Sequence, residues 1–308
     1  MARQRVTRFA CAVVTGAGSG IGRAFALEIV RRGGRVVCAD INGAAAAETV
    51  ELAQRMGRSG EAAVTPPKTH RALAVTCDVG DAASMAELAR TAESFFSSGP
   101  YPGTLNLVIN NAGIGAGGRP VGDIGLADWQ RTMDVNLWGV IHGCETFTPL
   151  LRQYAHDLRG RHVKGIRCGI INVASTASFS AAPLMAAYNV TKAGVLALSE
   201  TLSAELAGSA VNVTVLCPTF VKTNIFKGEL IAPASSALAA KVANVAGWSP
   251  ERVVNMTLDA VDAGQLHVVP QPDARLIWML KRLTPGVYTR GAGLLLRAAD
   301  RALKWKGA

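Results

Sequence analysis

The sequence has no run of about 18 uninterrupted apolar residues, so a membrane-crossing helix is not expected. It has no Cys-x-x-Cys pair either. Its six cysteines, Cys11, Cys38, Cys77, Cys144, Cys168 and Cys217, are scattered, several of them inside apolar runs. That spread argues against a metal or redox motif and for buried free thiols in a reducing compartment. Charge is scarce, 18% against 49% hydrophobic residues, which excludes a disordered chain and leaves enough for a large core. Acidic residues are nearly missing from one stretch. Ala274 to Ala308 holds eight lysines and arginines and a single acid, Asp300, so +7 of the net +10 lies there and the body is only mildly basic. Between Met1 and Ala10 no apolar segment with a small-residue cleavage site precedes the first strand-like run. A soluble, cytoplasmic protein is the expectation. The five histidines (His70, His142, His156, His162, His267) show no ligand spacing, and no metal is expected.

What is present is alternation. Nearly continuous apolar runs occur at Cys11–Thr15, Arg35–Asp40, Ala72–Asp78, Asn106–Asn110, Gly169–Ala174, Val211–Cys217 and, briefly, Leu266–Val269. Strands buried on both faces read this way. Between them lie helical patterns at Ile21–Arg32, Ala44–Met56, Ala82–Phe96, Leu126–Asp157, Ala186–Leu206 and Pro250–Ala263. Strand–helix–strand repetition predicts an α/β fold: a single doubly wound parallel sheet of Rossmann type, about seven strands, with helices on both faces. Residues 1–273 form that domain, and 274–308 form a basic, helical C-terminal extension. Gly57–Arg71 and His156–Arg167 read as extended surface loops.

Thr15-Gly16-Ala17-Gly18-Ser19-Gly20-Ile21-Gly22 lies between the first strand and the first helix. Glycines permit the sharp turn and let backbone amides approach a pyrophosphate, while the helix N-terminus supplies partial positive charge. Gly16, Ser19, Gly20, Ile21 and Gly22 are the candidate contacts. Asp40 ends the second strand about 20 residues on, where a carboxylate accepts hydrogen bonds from ribose hydroxyls and repels a 2′-phosphate. No arginine or lysine follows at Ile41 or Asn42, so NAD is expected over NADP. Asp78 and Val79 close the third strand, where the adenine edge is expected, and Asn110-Asn111-Ala112-Gly113 closes the fourth. Ligands of such sheets bind beyond the carboxyl ends of the strands, and these polar strand ends suit one crevice.

Tyr188 and Lys192 are four apart in a helical pattern, hence on one face. A phenol of pKa about 10 is a poor proton partner at neutral pH, and a neighbouring ammonium lowers that value. Ser175, after the fifth strand, adds a hydroxyl able to hold a substrate oxygen near the phenol. TGAGSGIG, NNAG, the Ser175 position in NVAST, and YNVTK stand in the order and at the spacing of the short-chain dehydrogenase/reductase family, which residues 8–270 resemble. The resemblance implies Tyr188 as general acid/base, Ser175 orienting the substrate oxygen, and Lys192 lowering the tyrosine pKa while bonding the nicotinamide ribose. It implies that Asn136, in MDVNLWG, bends its helix and anchors a relay water. Val221 and Thr223, in CPTFVKT, would then hold the nicotinamide carboxamide. The family usually has glycine after that proline; here it is Thr219, which leaves the local path open. Dimers or tetramers through the helices bearing Asn136 and Tyr188 are implied by the same resemblance.

The expected activity is hydride transfer between NAD(H) and a secondary alcohol or ketone. A lipophilic, hydroxysteroid-like substrate fits the apolar stretch 224–247, with Phe226, Leu230 and Ile231. The alternatives are a non-catalytic nucleotide-sensing module of the same fold and a membrane-surface dehydrogenase. Residues 274–283 and 287–305 mix apolar and basic residues. Such segments suit an anionic membrane surface, or helices packed on the body or on a neighbouring subunit with arginines outward. No nucleic-acid-binding motif accompanies the charge.

Overall fold

The computed structural model describes residues 6–56, 71–98, 103–160 and 168–305, with the backbone alone at 157–160, 226–227 and 299–305. Its strands are β1 (Cys11–Thr15), β2 (Arg35–Asp40), β3 (Ala72–Thr76), β4 (Leu107–Asn110), β5 (Cys168–Val173), β6 (Val211–Leu216) and β7 (His267–Val268). They form one sheet in the order β3-β2-β1-β4-β5-β6-β7, and every pairing is parallel. The helices are α1 (Gly20–Arg31), α2 (Gly43–Met56), α3 (Ala82–Ser97), α4 (Leu126–Met133), α5 (Gly139–Gly160), α6 (Ala177–Ser180), α7 (Ala186–Glu205), α8 (Pro233–Ala246), α9 (Pro250–Ala263), α10 (Pro272–Leu283) and α11 (Pro285–Trp305).

Alternate residues of each central strand feed opposite layers. Val13, Val37, Val108, Ile170 and Val213 pack against Met85, Leu88, Phe147, Leu151, Val195 and Leu202 of α3, α5 and α7. Val14, Val36, Ile109, Ile171 and Leu216 pack against Phe25, Ile29, Val253 and Leu258 of α1 and α9. The strands are buried on both faces, which is why they read as unbroken apolar runs. Helix starts follow local chemistry. Asp81 caps α3 by accepting from the Ala83 amide at 3.0 Å. Ser249 caps α9 with Pro250 as its first residue, and Gly264, at φ +73°, ends it.

The expected seven strands are all present, with ends within a residue or two of the expected ones. The third stops at Thr76, short of Asp78, and the seventh has only two residues. The expected single helix over Leu126–Asp157 is broken by a π-helical turn, Asp134–Trp138, between α4 and α5. Helix α5 continues to Gly160, so the first residues of the expected 156–167 loop are helical. The rest of that loop, 161–167 with His162, and 57–70 with His70 lie outside the described residues. The six cysteines are free and buried, and burial alone pushes the Cys38 thiol up to about 12.

Candidate active site

The strand order reverses direction between β1 and β4, and the crevice opens beyond their carboxyl ends. The loop from Thr15 to Gly20 is shaped by backbone closeness. Gly16 and Gly20 take φ of +63° and +54°. A methyl on Gly22 would overlap the Gly16 carbonyl oxygen, and one on Gly18 would lie 2.8 Å from Asp40 Oδ2. Asn111 ties the loop down, its Nδ2 donating to the Thr15 carbonyl at 2.8 Å and to that of Gly16 at 3.2 Å. Thr15 Oγ1 in turn accepts from the amides of Asn111 and Ala112 at 3.0 and 3.1 Å. Ser19 stands at the α1 N-cap without a side-chain capping bond, and no acid occupies the first turn. The leading amides of Gly20, Ile21 and Gly22 thus start a helix suited to an anion.

Asp40 accepts from the Gly18 amide at 2.8 Å through one oxygen and from the Asn42 amide at 2.9 Å through the other. Arg23, the cation beside this loop, is engaged by Glu48 at 2.6 Å, by Thr49 and by the Gly18 carbonyl. Asp78 is exposed at the end of β3 and accepts from the Gly80 amide at 2.9 Å. Val79 is buried under Gly139, and its carbonyl meets His142 Nδ1 at 2.9 Å. These groups suit an adenine dinucleotide: open amides for its phosphates and a carboxylate for its ribose.

The chemical end of the crevice gathers Ser175, Tyr188, Lys192 and Asn136. Tyr188 lies on the first turn of α7, with the Ser175 hydroxyl near enough to its phenol to lower the phenol's pKa. Ser175 Oγ also accepts from the Ala177 amide at 3.1 Å. One turn along α7, Lys192 is 2% exposed, with Nζ donating to the Val173 carbonyl at 2.9 Å and standing 5.8 Å from the Tyr188 ring centroid. Asn136, in the π turn, is fully buried. Its Oδ1 accepts from the Ile114 amide at 2.7 Å and its Nδ2 donates to the Ile114 carbonyl at 2.9 Å. A methyl on Gly113 would lie 3.1 Å from Asn136 Oδ1 and 3.4 Å from Lys192 Nζ, so glycine lets these groups meet.

Electrostatics here differs from the expectation of a phenol held acidic by an ammonium. Burial pushes Tyr188 above its ordinary value, and the neighbouring Ser175 hydroxyl pulls it back. Burial likewise brings Lys192 down to about 8, against an opposing pull from Cys217. The ammonium is itself desolvated, which is the physical reason that it does not dominate the phenol.

Around Tyr188 the wall is apolar: Ala116 and Ala177, with Met185, Ile225 and Leu230 packed on them. The segment after β6 closes over this wall. Gly117 bridges Ile231, and Val221 bridges Trp248. Thr223 reaches the phosphate loop, its Cγ2 3.0 Å from where a methyl on Gly20 would sit. Of the predicted apolar residues, Leu230 and Ile231 take part; the Phe226 side chain lies outside the described ones.

Residues 10–231 match the short chain dehydrogenase family. The chain belongs to the short-chain dehydrogenase/reductase family. SadH of Mycobacterium tuberculosis, named as an oxidoreductase, is 30% identical over 91% of this chain and 92% of its own. A 1-deoxy-11-beta-hydroxypentalenate dehydrogenase of Streptomyces avermitilis is 35% identical over 72% of each chain. A short-chain dehydrogenase/reductase of Burkholderia phymatum, solved in complex with NAD, is 29% identical and covers 89% of this chain and 94% of its own, with a TM-score of 0.75. The oxidoreductase EphD of M. tuberculosis is 34% identical, but this chain spans only 31% of its length. The relatives matched over most of their length are named as an oxidoreductase and a dehydrogenase, and the solved one holds NAD.

Sequence reading missed two features. Asn110 does not face the crevice: its Nδ2 donates to Asn172 Oδ1 at 2.9 Å, and Asn172 Nδ2 donates to Ser199 at 3.0 Å, a buried polar chain between sheet and α7. The other is a clamp on Thr219. Gln271, 2% exposed just before α10, accepts from the Thr219 amide at 3.2 Å and donates to the Phe220 carbonyl at 3.3 Å. Thr219 Oγ1 meets Asp273 at 3.4 Å. The departure from glycine at 219 was the legible signal; its partners, some 50 residues later, were not.

Proposed function

We propose that this short-chain dehydrogenase/reductase interconverts a lipophilic secondary alcohol and its ketone, using NAD(H). The observation that carries the reading is the gathering of four groups: Ser175 beside the Tyr188 phenol, Lys192 Nζ 5.8 Å from its ring, and Asn136 meeting Lys192 at Gly113. When bound, a nicotinamide supplies or takes the hydride. Tyr188 gives its phenolic proton to the carbonyl oxygen in reduction and recovers it in oxidation. Ser175 holds that oxygen within reach. Lys192, its Nζ held by the Val173 carbonyl, bonds the nicotinamide ribose. Asn136 fixes the π turn against Ile114, where an ordered water passes the proton outward.

Gly16, Ser19, Gly20, Ile21 and Gly22 take the pyrophosphate. Asn111, Ala112 and Gly113 line the nicotinamide side, and Val221 and Thr223 hold the carboxamide. Asp78 and Val79 meet the adenine. The choice of NAD over NADP rests on the Asp40 carboxylate, with Arg23 already paired to Glu48. The apolar wall about Tyr188 supports a bulky, lipophilic substrate, as does the pentalenate-dehydrogenase name of one relative. Trp138 and Val190, exposed apolar residues beside Asn136 and Tyr188, support a dimer or tetramer across these helices.

The test is NADH formation over a panel of secondary alcohols, with NADP in parallel, for wild type and Tyr188→Phe. Turnover of the variant should fall by about 10²- to 10⁴-fold, the usual worth of a positioned acid/base, with NAD affinity kept. Equal rates would remove the chemistry and leave the nucleotide-sensing alternative, and a preference for NADP would remove the role of Asp40.

A further inference from the structure

We propose that the α10–α11 hairpin docks on the surface of an anionic lipid bilayer. Helix α10 has two apolar faces. Its inner face is anchored: Ala274 is fully buried, and Trp278 stacks on Phe179 of α6 with centroids 5.6 Å apart and meets His267 edge-on at 5.1 Å. Its outer face carries Leu276, Met279, Leu280 and Leu283, the i, i+3, i+4, i+7 spacing of a helical stripe, between 41% and 72% exposed. Helix α11 continues the pattern with exposed Val287, Leu294 and Leu295 and with Arg290 and Arg297 two turns apart.

Apolar residues are exposed elsewhere too, among them Phe9 and Ile41, but four on one helix face form a contiguous stripe, the kind that marks an interaction surface. The charge selects the partner. Residues 274–308 carry eight basic residues and one acid. A second copy docking through the same face would bring that +7 against itself, because a two-fold contact pairs each patch with its twin. An anionic bilayer complements both features, taking leucines at the acyl boundary and arginines at the headgroups. No helix among the described residues is long and apolar enough to cross a membrane, so the hairpin lies on the surface. Since α10 packs on α6, which follows Ser175 directly, docking sets the mouth of the crevice beside the lipid.

The experiment is flotation of the full chain with vesicles of phosphatidylcholine alone and of phosphatidylcholine with phosphatidylglycerol. Binding to the anionic vesicles alone, weakened by salt, is the expected result. Arg290→Gln with Arg297→Gln should weaken partition about 25-fold, roughly fivefold per charge. Leu280→Ser with Leu283→Ser should weaken it by about tenfold or more for each leucine. All four side chains point outward, and unchanged circular dichroism and NAD binding would verify that the variants fold. No binding, equal binding to neutral vesicles, or a dimer that the leucine variant turns into a monomer would each overturn the proposal, the last in favour of a second copy.

Discussion

Around Gly16–Gly22 a single added methyl would overlap backbone or press on Asp40, whereas around Thr219 the chain is held by side chains from residues 271 and 273. The two ends of one crevice are therefore secured differently. The nucleotide end is a backbone structure, made by glycines packed against Asn111 and the start of α1. The substrate end is a side-chain structure, an apolar wall closed by a late segment and clamped by Gln271. Backbone packing tolerates no change of shape; a clamp of two hydrogen bonds can be exchanged while the sheet beneath it stays intact.

The largest effect should come from the rigid end. Gly22→Ala is expected to destabilise the chain by about 3 kcal/mol or more, the severe end of overpacking, and to weaken nucleotide binding with it. Denaturant unfolding and NAD titration measure both, and a loss of affinity without a loss of stability would break the comparison.

Lys192, where the ends meet, should give an effect of similar size confined to alkaline pH. Its folded pKa, about 8, lies below its ordinary 10.5, so from pH 8 to 10.5 the unfolded chain holds the extra proton and stability rises with pH. Below pH 8 both states are protonated, and the penalty of the buried ammonium is constant and at its greatest. Wild type should thus gain on the order of 3 kcal/mol relative to Lys192→Met across that window. Parallel unfolding curves at pH 7.5 and 10.5 for the two proteins would contradict it.

The smallest effect should be at the clamp. Gln271→Ala removes a donor and an acceptor and should cost about 1–2 kcal/mol in stability. It should raise KM several-fold with kcat little changed, because Tyr188 and Ser175 stand on α7 and after β5 and not on the clamped loop. Gln271→Glu keeps the acceptor for the Thr219 amide but turns a carboxylate oxygen on the Phe220 carbonyl, and should recover none of the loss. A collapse of kcat would mean that the substrate end is as rigid as the nucleotide end.

Much of this was legible in one dimension. Strands buried on both faces show as unbroken apolar runs, and all seven were readable, β3 and β7 too long because runs such as Cys77–Val79 stay partly apolar after pairing has stopped. The shared placement of candidate residues on one local element, Tyr188 with Lys192 on α7 and the glycines with Ser19 on one loop, was readable from helical spacing and turn chemistry. Asn110 was misread as a crevice residue because a strand-end polar residue carries no mark of the side to which it turns. Only the sheet-to-α7 packing sends it to Asn172. The π turn at Asn136 leaves no mark in the helical spacing; the resemblance alone pointed to a bend there.

Sequence alone determined the parallel sheet, the phosphate loop and the membership of Tyr188 and Lys192 in one helix face, since each follows from local spacing and from which residues avoid water. Tertiary structure decided what depends on distant partners: that the Tyr188 phenol and the Lys192 ammonium are both taken out of water, that Thr219 is held from position 271, and that one stripe of α10 faces the core while another faces out. Desolvation and long-range hydrogen bonds are properties of the packed molecule, and no window of residues contains them.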